Sequence, residues 1–378
     1  MASSSSSFPI PTSMDIPQEL ARQLFEQGAT LIFLDFPESA EFGVDYKSWT
    51  VGEKFRGLKM IPPGVHFIYY SCGRAPRIGF FHDFKPQEVL VRKWDKKIED
   101  LSMETVDEEE ISRFRSNLQS MDPFLGPYPF DTYRSWFALS SHMTGPLVEQ
   151  LCPLSGRITS QAELVTMETE LMEAATSEVA RNSNTVDRQH PTRLRFADSQ
   201  GLPIMRIRPG YDLRFHAIPE RQQLSASERA GMVMDASAQL ERLLTEFSDE
   251  KQLLGELQFA FVCFLMGQIY ESFEHWKRLV RLLCSCHEAL VSRRQLFMDF
   301  LMTLHFQLKE CPEDFFVDIV SRNNFLTITL ANFFSNVDTT DGVDPVLREK
   351  ARKFKSYLTK RFKWDFEQDD GPTIVSMD

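Results

Sequence analysis

Apolar positions crowd most densely between Gly255 and Leu283, GELQFAFVCFLMGQIYESFEHWKRLVRLL. From Leu257 to Met266 nearly every residue is apolar; Glu256 and Gln268 close the run, and Gly267-Gln268 breaks it. Crossing a bilayer takes about 20 apolar residues, so this run is too short for a membrane span. A helix that is apolar on all sides and outside a membrane sits at the centre of a core. The pattern predicts such a central helix, with an amphipathic helix over Ile269–Leu290 packed against it.

The chain after Ser225 reads as helical. Ser225-Ala-Ser-Glu228 is a capping box, and Ala236, Leu240, Leu243, Leu244 and Phe247 follow as a helical stripe. Beyond Ser292 a further helix carries Phe297, Phe300, Leu301, Leu304 and Leu308, and Pro312 opens a short one with Phe315, Phe316 and Ile319. Leu326 to Leu330 alternates like a strand, but Leu326, Leu330, Phe333 and Phe334 also fit a helix, which the helical surroundings favour. Asp344-Pro345 supplies a cap and first turn for a last helix bearing Leu347, Ala351, Phe354 and Leu358.

The first half has another texture. After a short helix from Pro17 to Gln27, ended by Gly28, the runs ATLIFLDF, Val65–Tyr70, RIGFFHDF and EVLVRKW are short, aromatic and β-branched, punctuated by Gly and Pro. They predict an antiparallel sandwich or barrel, with Gly43, Gly52, Gly57 and Gly64 in turns. Asp107 to Met121 predicts a helix with its carboxylates at the positive end of the dipole. Asp131 is placed to cap a helix through Tyr133, Trp136, Phe137 and Ser140, and a second short helix covers Pro146 to Leu151. Ser155 to Gln200 is polar and nearly free of aromatics, as expected of a mobile insertion loop. RPGYDLRFHAIP then reads as one more strand returning to the β domain. The expected fold class is α+β: a Ser-rich disordered tail over 1–14, a β-rich domain with peripheral helices over 15–154, the loop over 155–200, a connecting strand or linker over 201–220, an all-α domain over 221–366, and a mobile acidic tail over 367–378.

Composition narrows the function classes. The 378 residues are 42% hydrophobic and include 32 Phe, ample for two cores, and a net charge of −12 argues against a general nucleic-acid binder. Six scattered cysteines, the absence of an Asn-x-Ser/Thr sequon and a start without charged or apolar leader regions point to a soluble intracellular chain. The sequence contains no P-loop, dinucleotide fingerprint or nucleophile elbow. His287-Glu288 begins like a zinc-protease motif, but Val291 stands where the second His is required. Cys284, Cys286 and His287 cluster without a partner pair and point to different helix faces, so packing outweighs a metal role. His66, His275 and His305 lie within helix or strand patterns and read as hydrogen-bonded structural groups. No catalytic, metal or cofactor residue is assigned.

Two basic–aromatic stretches remain as candidate surfaces. In Arg348–Phe366 basic residues, Lys360 and Arg361 among them, interleave with Phe354, Tyr357, Phe362, Trp364 and Phe366, as in stacking platforms for single strands. The Leu347/Ala351/Phe354/Leu358 stripe already claims part of this for a core. A face for a protein partner and a solvated face therefore stand ahead of direct RNA contact. Trp276-Lys277-Arg278, with Glu274, leaves the apolar run and carries residue types favoured at hot spots, although Trp276 also suits a core.

The strings FGVDYKSW, KFRGLKMIPPGVHF, FLGPYPF, GELQFAFVCFLMGQIYESFEHWKRLVRLL and FFVDIVSRNNFLT resemble the AAR-two splicing-factor family, in matching order, and the resemblance runs from about Met14 to Phe366. That resemblance implies a β-rich domain followed by a helical domain similar to VHS-type modules, no enzymatic activity, no cofactor and no membrane. It further implies binding to the RNase H-like and Jab/MPN-like domains of Prp-eight, the large scaffold of the U5 small nuclear ribonucleoprotein. In a cytoplasmic precursor particle the family keeps the U5 helicase off that scaffold until phosphorylation releases it after nuclear entry. Ser183, Ser248 and Ser356 are candidate acceptors; the Ser-rich start, the 155–200 loop and the tail depart from the family strings. A VHS-like peptide or trafficking adaptor is the alternative.

Overall fold

The computed structural model describes residues 8–11, 17–102, 104–160, 164–166, 205–219, 235–311 and 325–366. Helix α1 (Gln18–Gln27) precedes strands β1 (Ala29–Leu34), β2 (Glu41–Val44), β3 (Lys47–Thr50), β4 (Gly57–Ile61), β5 (Gly64–Ser71), β6 (Ile78–Phe84), β7 (Val89–Asp95) and β8 (Asp100–Leu101). Helices α2 (Glu108–Ser116) and α3 (Leu118–Met121), strand β9 (Leu125–Pro127), helices α4 (Phe130–Ser140) and α5 (Gly145–Leu151), and strands β10 (Ile158–Thr159), β11 (Leu164–Thr166) and β12 (Met205–Ile207) follow. The helical part comprises α6 (Ser237–Leu244), α7 (Lys251–Leu265), α8 (Tyr270–Cys284), α9 (Glu288–Ser292), α10 (Arg294–Glu310), α11 (Phe325–Thr339) and α12 (Pro345–Phe362). A β-rich N-terminal region is thus followed by an all-helical C-terminal region.

Two five-stranded sheets, ordered β8-β7-β1-β4-β9 and β10-β6-β5-β2-β3, face each other. The first is mixed, because β1 runs parallel to β7 and β4 parallel to β9, which corrects the expectation of a purely antiparallel sandwich. The apolar run of β1 follows from its central place. Leu31 and Phe33 face the sandwich interior, while Ile32 on the other face lies in a small core covered by Ile111 and Phe114 of α2.

Strand β5 is apolar for the same reason in the second sheet. Ile68 and Tyr70 point into the sandwich, whereas Val65, Phe67 and Tyr69 belong to the core of the helical region. A period of two thereby lets one strand serve two cores. The layers run α2, first sheet, second sheet, helical array. Gly43 and Gly79 flank Tyr69 in register, and a Cβ on Gly43 would lie 2.1 Å from the Tyr69 ring. Gly43 is therefore a mid-strand residue that makes room for an aromatic ring, not the turn residue the sequence suggested.

Several local expectations change. Asp107–Met121 breaks at Asn117 into α2 and α3, although the acidic first turn is present. Helix α4 starts at Phe130, one residue before Asp131, whose carboxylate instead pairs with Lys47. The segment read as one helix over Ile269–Leu290 divides into α8 and α9 at Ser285–His287. There the Asp235 carboxylate accepts from the backbone N–H of His287 at 2.8 Å and of Glu288 at 3.1 Å, capping the second piece. In the 155–200 segment β10 adds to β6, and β11 pairs with β12. Leu213 to Pro219 is irregular rather than a returning strand, with Leu213, Phe215 and Ile218 packed on the helical core. The Ser225 capping box, the helix after Pro312, Ser183 and the acidic tail lie outside the described residues. The last helix stands as read, with Asp344 accepting from Val346 N–H at 2.8 Å and Leu347 N–H at 3.3 Å.

Candidate functional site: a seam and two grooves

Every residue of α7 from Leu253 to Cys263 is buried. An all-apolar helix could slide or rotate in such a core. Two polar residues fix this one. Gln258 accepts from His142 N–H at 2.8 Å and donates to the carbonyl of Ala138 at 3.3 Å and to Ser141 Oγ at 3.2 Å, tying α7 to the end of α4. Glu256 turns the other way. Its Oε1 accepts from His216 N–H at 3.0 Å and His275 Nε2–H at 2.7 Å, and Oε2 sits 2.5 Å from His216 Nδ1. Arg278 donates to Nδ1 of His275 at 3.2 Å, which leaves the Nε2 hydrogen for Glu256. Burial pushes the Glu256 carboxyl up, but hydrogen bonds from the two histidines outweigh it and leave the group below the usual range. The reciprocal bond with Glu256 raises His216 against the opposing effect of burial.

These bonds join the β region to the helices. Gly255 lets α7 approach so closely that a Cβ there would lie 2.4 Å from the His142 carbonyl oxygen. Phe81 of β6 packs on Phe259 with ring centroids 4.9 Å apart, Arg77 donates to the Met266 carbonyl at 2.7 Å, and Trp136 donates to the Val65 carbonyl at 3.0 Å. The β region and the helical region therefore share one continuous core.

That frame holds two apolar grooves. The first, about 420 Å³, lies between β3 and β9, the edge strands of the two sheets. Trp49 comes from β3 and Leu58 and Pro127 from β4 and β9 of the other sheet, Val51, Phe55 and Phe130 complete the lining, and the Lys47–Asp131 ion pair borders it. Trp49 is 38% exposed on β3, whose outer edge pairs with no strand among the described residues. Behind this groove the buried Asp45 carboxylate accepts from the Tyr128 hydroxyl at 2.5 Å and from Phe67 N–H at 3.0 Å, and lies 2.7 Å from His66 Nδ1. This locks the chain leaving β9 onto the second sheet. The second groove, about 240 Å³, runs between α10 and α12 over Met298, Leu301, Met302, His305, Phe354 and Tyr357.

The surface residues expected from sequence fall apart into different roles. Trp276 is fully buried, stacks on Phe273 and donates to Gln307 Oε1 at 2.9 Å, so it does not leave the core. Its position on the inner face of α8 gives the indole a buried acceptor that the solvent face lacks. Lys277 pairs with Glu274 at 2.7 Å over the Phe273 ring, and exposed Arg278 covers His275. Arg361 donates to the carbonyls of Lys309 at 2.9 Å and Cys311 at 3.0 Å, closing the end of α10. Half-buried Trp364 stacks on Phe362 at 4.7 Å, while Lys360 is exposed. Ser248 and Ser356 are both exposed, the first just before α7. Cys284 and Cys286 are buried, and His287 Nε2 lies 2.5 Å from Asn336 Oδ1. Among the described residues no group of His, Cys, Asp and Glu is placed to hold a metal ion, and no helix is long and apolar enough to cross a membrane.

Fold and grooves define an α+β protein in which a β-rich region and a helical region share one core and frame two apolar surface clefts. Residues 27–153 match the AAR2 N-terminal domain and residues 215–367 the AAR2 C-terminal repeat region. The chain belongs to the AAR2 family. It is 52% identical over 358 residues to Protein AAR2 homolog of Caenorhabditis elegans, covering 94% of this chain and 99% of the relative. It is 41% identical over 384 residues to the Mus musculus homolog, covering 97% and 98%. It is 23% identical over 321 residues to A1 cistron-splicing factor AAR2 of Saccharomyces cerevisiae, covering 81% and 83%.

Proposed function

We propose that this chain is a non-catalytic assembly factor in pre-mRNA splicing, acting on the U5 small nuclear ribonucleoprotein. The observation that carries the reading is kinship along nearly the whole chain with AAR2 relatives, one of them named a splicing factor. In this proposal the partner is the scaffold protein Prp-eight, held through its RNase H-like and Jab/MPN-like domains while the U5 helicase is kept away. The cleft between β3 and β9 suits the first contact: an extended segment gains main-chain hydrogen bonds from the free β3 edge and buries side chains against Trp49, Pro127 and Phe130. The shared core holds this cleft and the helical faces at a fixed distance, so two domains of one partner can be engaged together. Lys360 and the Glu274, Lys277 and Arg278 surface are proposed as further contacts.

Release by phosphorylation and shuttling between cytoplasm and nucleus belong to the same proposal. Phosphate brings about −2 charge at neutral pH, and exposed Ser248 and Ser356 are accessible acceptors. The test is co-purification of the full chain with the recombinant RNase H-like plus Jab/MPN-like region of the scaffold. A stable complex that added helicase fragment displaces is expected; recovery of no scaffold at low salt would overturn the proposal.

A further inference from the structure

The groove between α10 and α12 has features that scaffold binding through the sheet edges does not use. Its floor is Met298, Leu301, Met302 and Phe354, and Met302 is 51% exposed. The Met298/Met302/His305 spacing is that of one helix face, and Lys350/Phe354/Tyr357 repeats it on the other side. A groove walled by two helices and floored with flexible thioethers suits an amphipathic helix laid along it.

The rim fixes the charge of that helix. Lys350 and Lys353 line the groove. On α10, Lys309 is one turn beyond His305, and together with burial the charges of Lys309 and Arg361 depress that imidazole. Among the described residues the neighbouring acids are already engaged. Glu349 pairs with Lys353 at 3.2 Å, Asp299 acts on His142, and Glu310 acts on Tyr46. Lys350 makes no ion pair among the described residues. A cationic rim stands out on a chain of net charge −12.

We propose that this groove docks an acidic amphipathic helix of a partner protein, with apolar residues on Met298, Met302 and Phe354 and carboxylates on Lys350 and Lys353. The docking is independent of the scaffold reading and is tested without the scaffold. The probe is a fluorescein-labelled peptide of about 16 residues, with Leu at i, i+4 and i+7 and Glu at the outward positions, beside a copy with Lys in place of Glu. Anisotropy titrations of the full chain are combined with NMR spectra of methyl-labelled methionine. The Glu peptide is expected to bind, to shift the Met298 and Met302 methyls, and to weaken about tenfold in Lys350→Glu/Lys353→Glu and in Met302→Glu. Equal binding of the Lys copy, or methyl shifts confined to other methionines, would overturn the proposal. So would unchanged affinity in whichever variant folds. A uridine-rich single-stranded RNA that shifts the same methyls at lower concentration than the Glu peptide would replace the proposal with a nucleic-acid site.

Discussion

Replacing Glu256 by Ala removes a carboxylate that joins α7, α8 and the 213–219 segment. Three donors lose their acceptor: His216 N–H, His216 Nδ1–H and His275 Nε2–H, at 3.0, 2.5 and 2.7 Å in the intact protein. Each buried donor left unpaired costs about 1–3 kcal/mol, and breaking a buried charge pair by removing one partner costs about 3–5 kcal/mol. Water reaching His216, which is partly exposed, recovers some of this, so the expected loss is about 3 kcal/mol. With a urea dependence of about 3 kcal/mol per molar, the midpoint of unfolding falls by about 1 M. Amide exchange in 213–219 should accelerate, because Phe215 stacks on His275 at 4.0 Å and is released with it. Glu271→Ala on exposed α8 surface is the control, expected within about 0.5 kcal/mol of the parent. A midpoint for Glu256→Ala within about 0.2 M of the control, or unchanged exchange in 213–219, would refute the role given to this carboxylate.

Three further outcomes follow from the same contacts. Gly255→Ala gains about 1 kcal/mol of helix propensity but drives a methyl into the His142 carbonyl; a net loss of about 1–2 kcal/mol in urea unfolding is expected, and a gain would contradict the close approach. Trp276→Ala should cost about 3–5 kcal/mol and Lys277→Ala under about 1 kcal/mol, so equal losses would show that Trp276 is not core. The stability contributed by His216, whose folded value is raised, is complete below the unfolded value of about 6.5 and is lost as pH rises through the higher folded value. That of Glu256, whose folded value is lowered, is present above about 4.3 and lost as pH falls through the lower folded value. Urea midpoints of the parent should therefore decline at both ends of that window, and in Glu256→Gln the decline on the alkaline side should vanish.

How much of this was legible depended on whether one periodicity settled the question. The central helix, the Asp344-Pro345 cap and the β-then-α order were readable because hydrophobic runs and cap chemistry are local. Glu256 was read as the polar end of an apolar run, yet it lies inside α7 with no exposure, because its partners His216 and His275 are 40 and 19 residues away. Trp276 suited a hot spot or a core by residue type and Arg361 lay in a basic–aromatic stretch read as a candidate face; the first fills the core and the second closes the end of α10 through distant carbonyls. The groove between β3 and β9 left no local signature, since its two walls come from edge strands about 75 residues apart whose juxtaposition is set by sheet order. The parallel pairing of β1 with β7 was hidden for the same reason.

The most direct test of a docking role is hydrogen–deuterium exchange of the full chain with and without the RNase H-like plus Jab/MPN-like region of Prp-eight. Docking through the sheet edges should slow exchange in Lys47–Thr50 and in Leu125–Phe130, with β1 unchanged because it is already buried. A stable complex that leaves both segments exchanging at their free rates would contradict it.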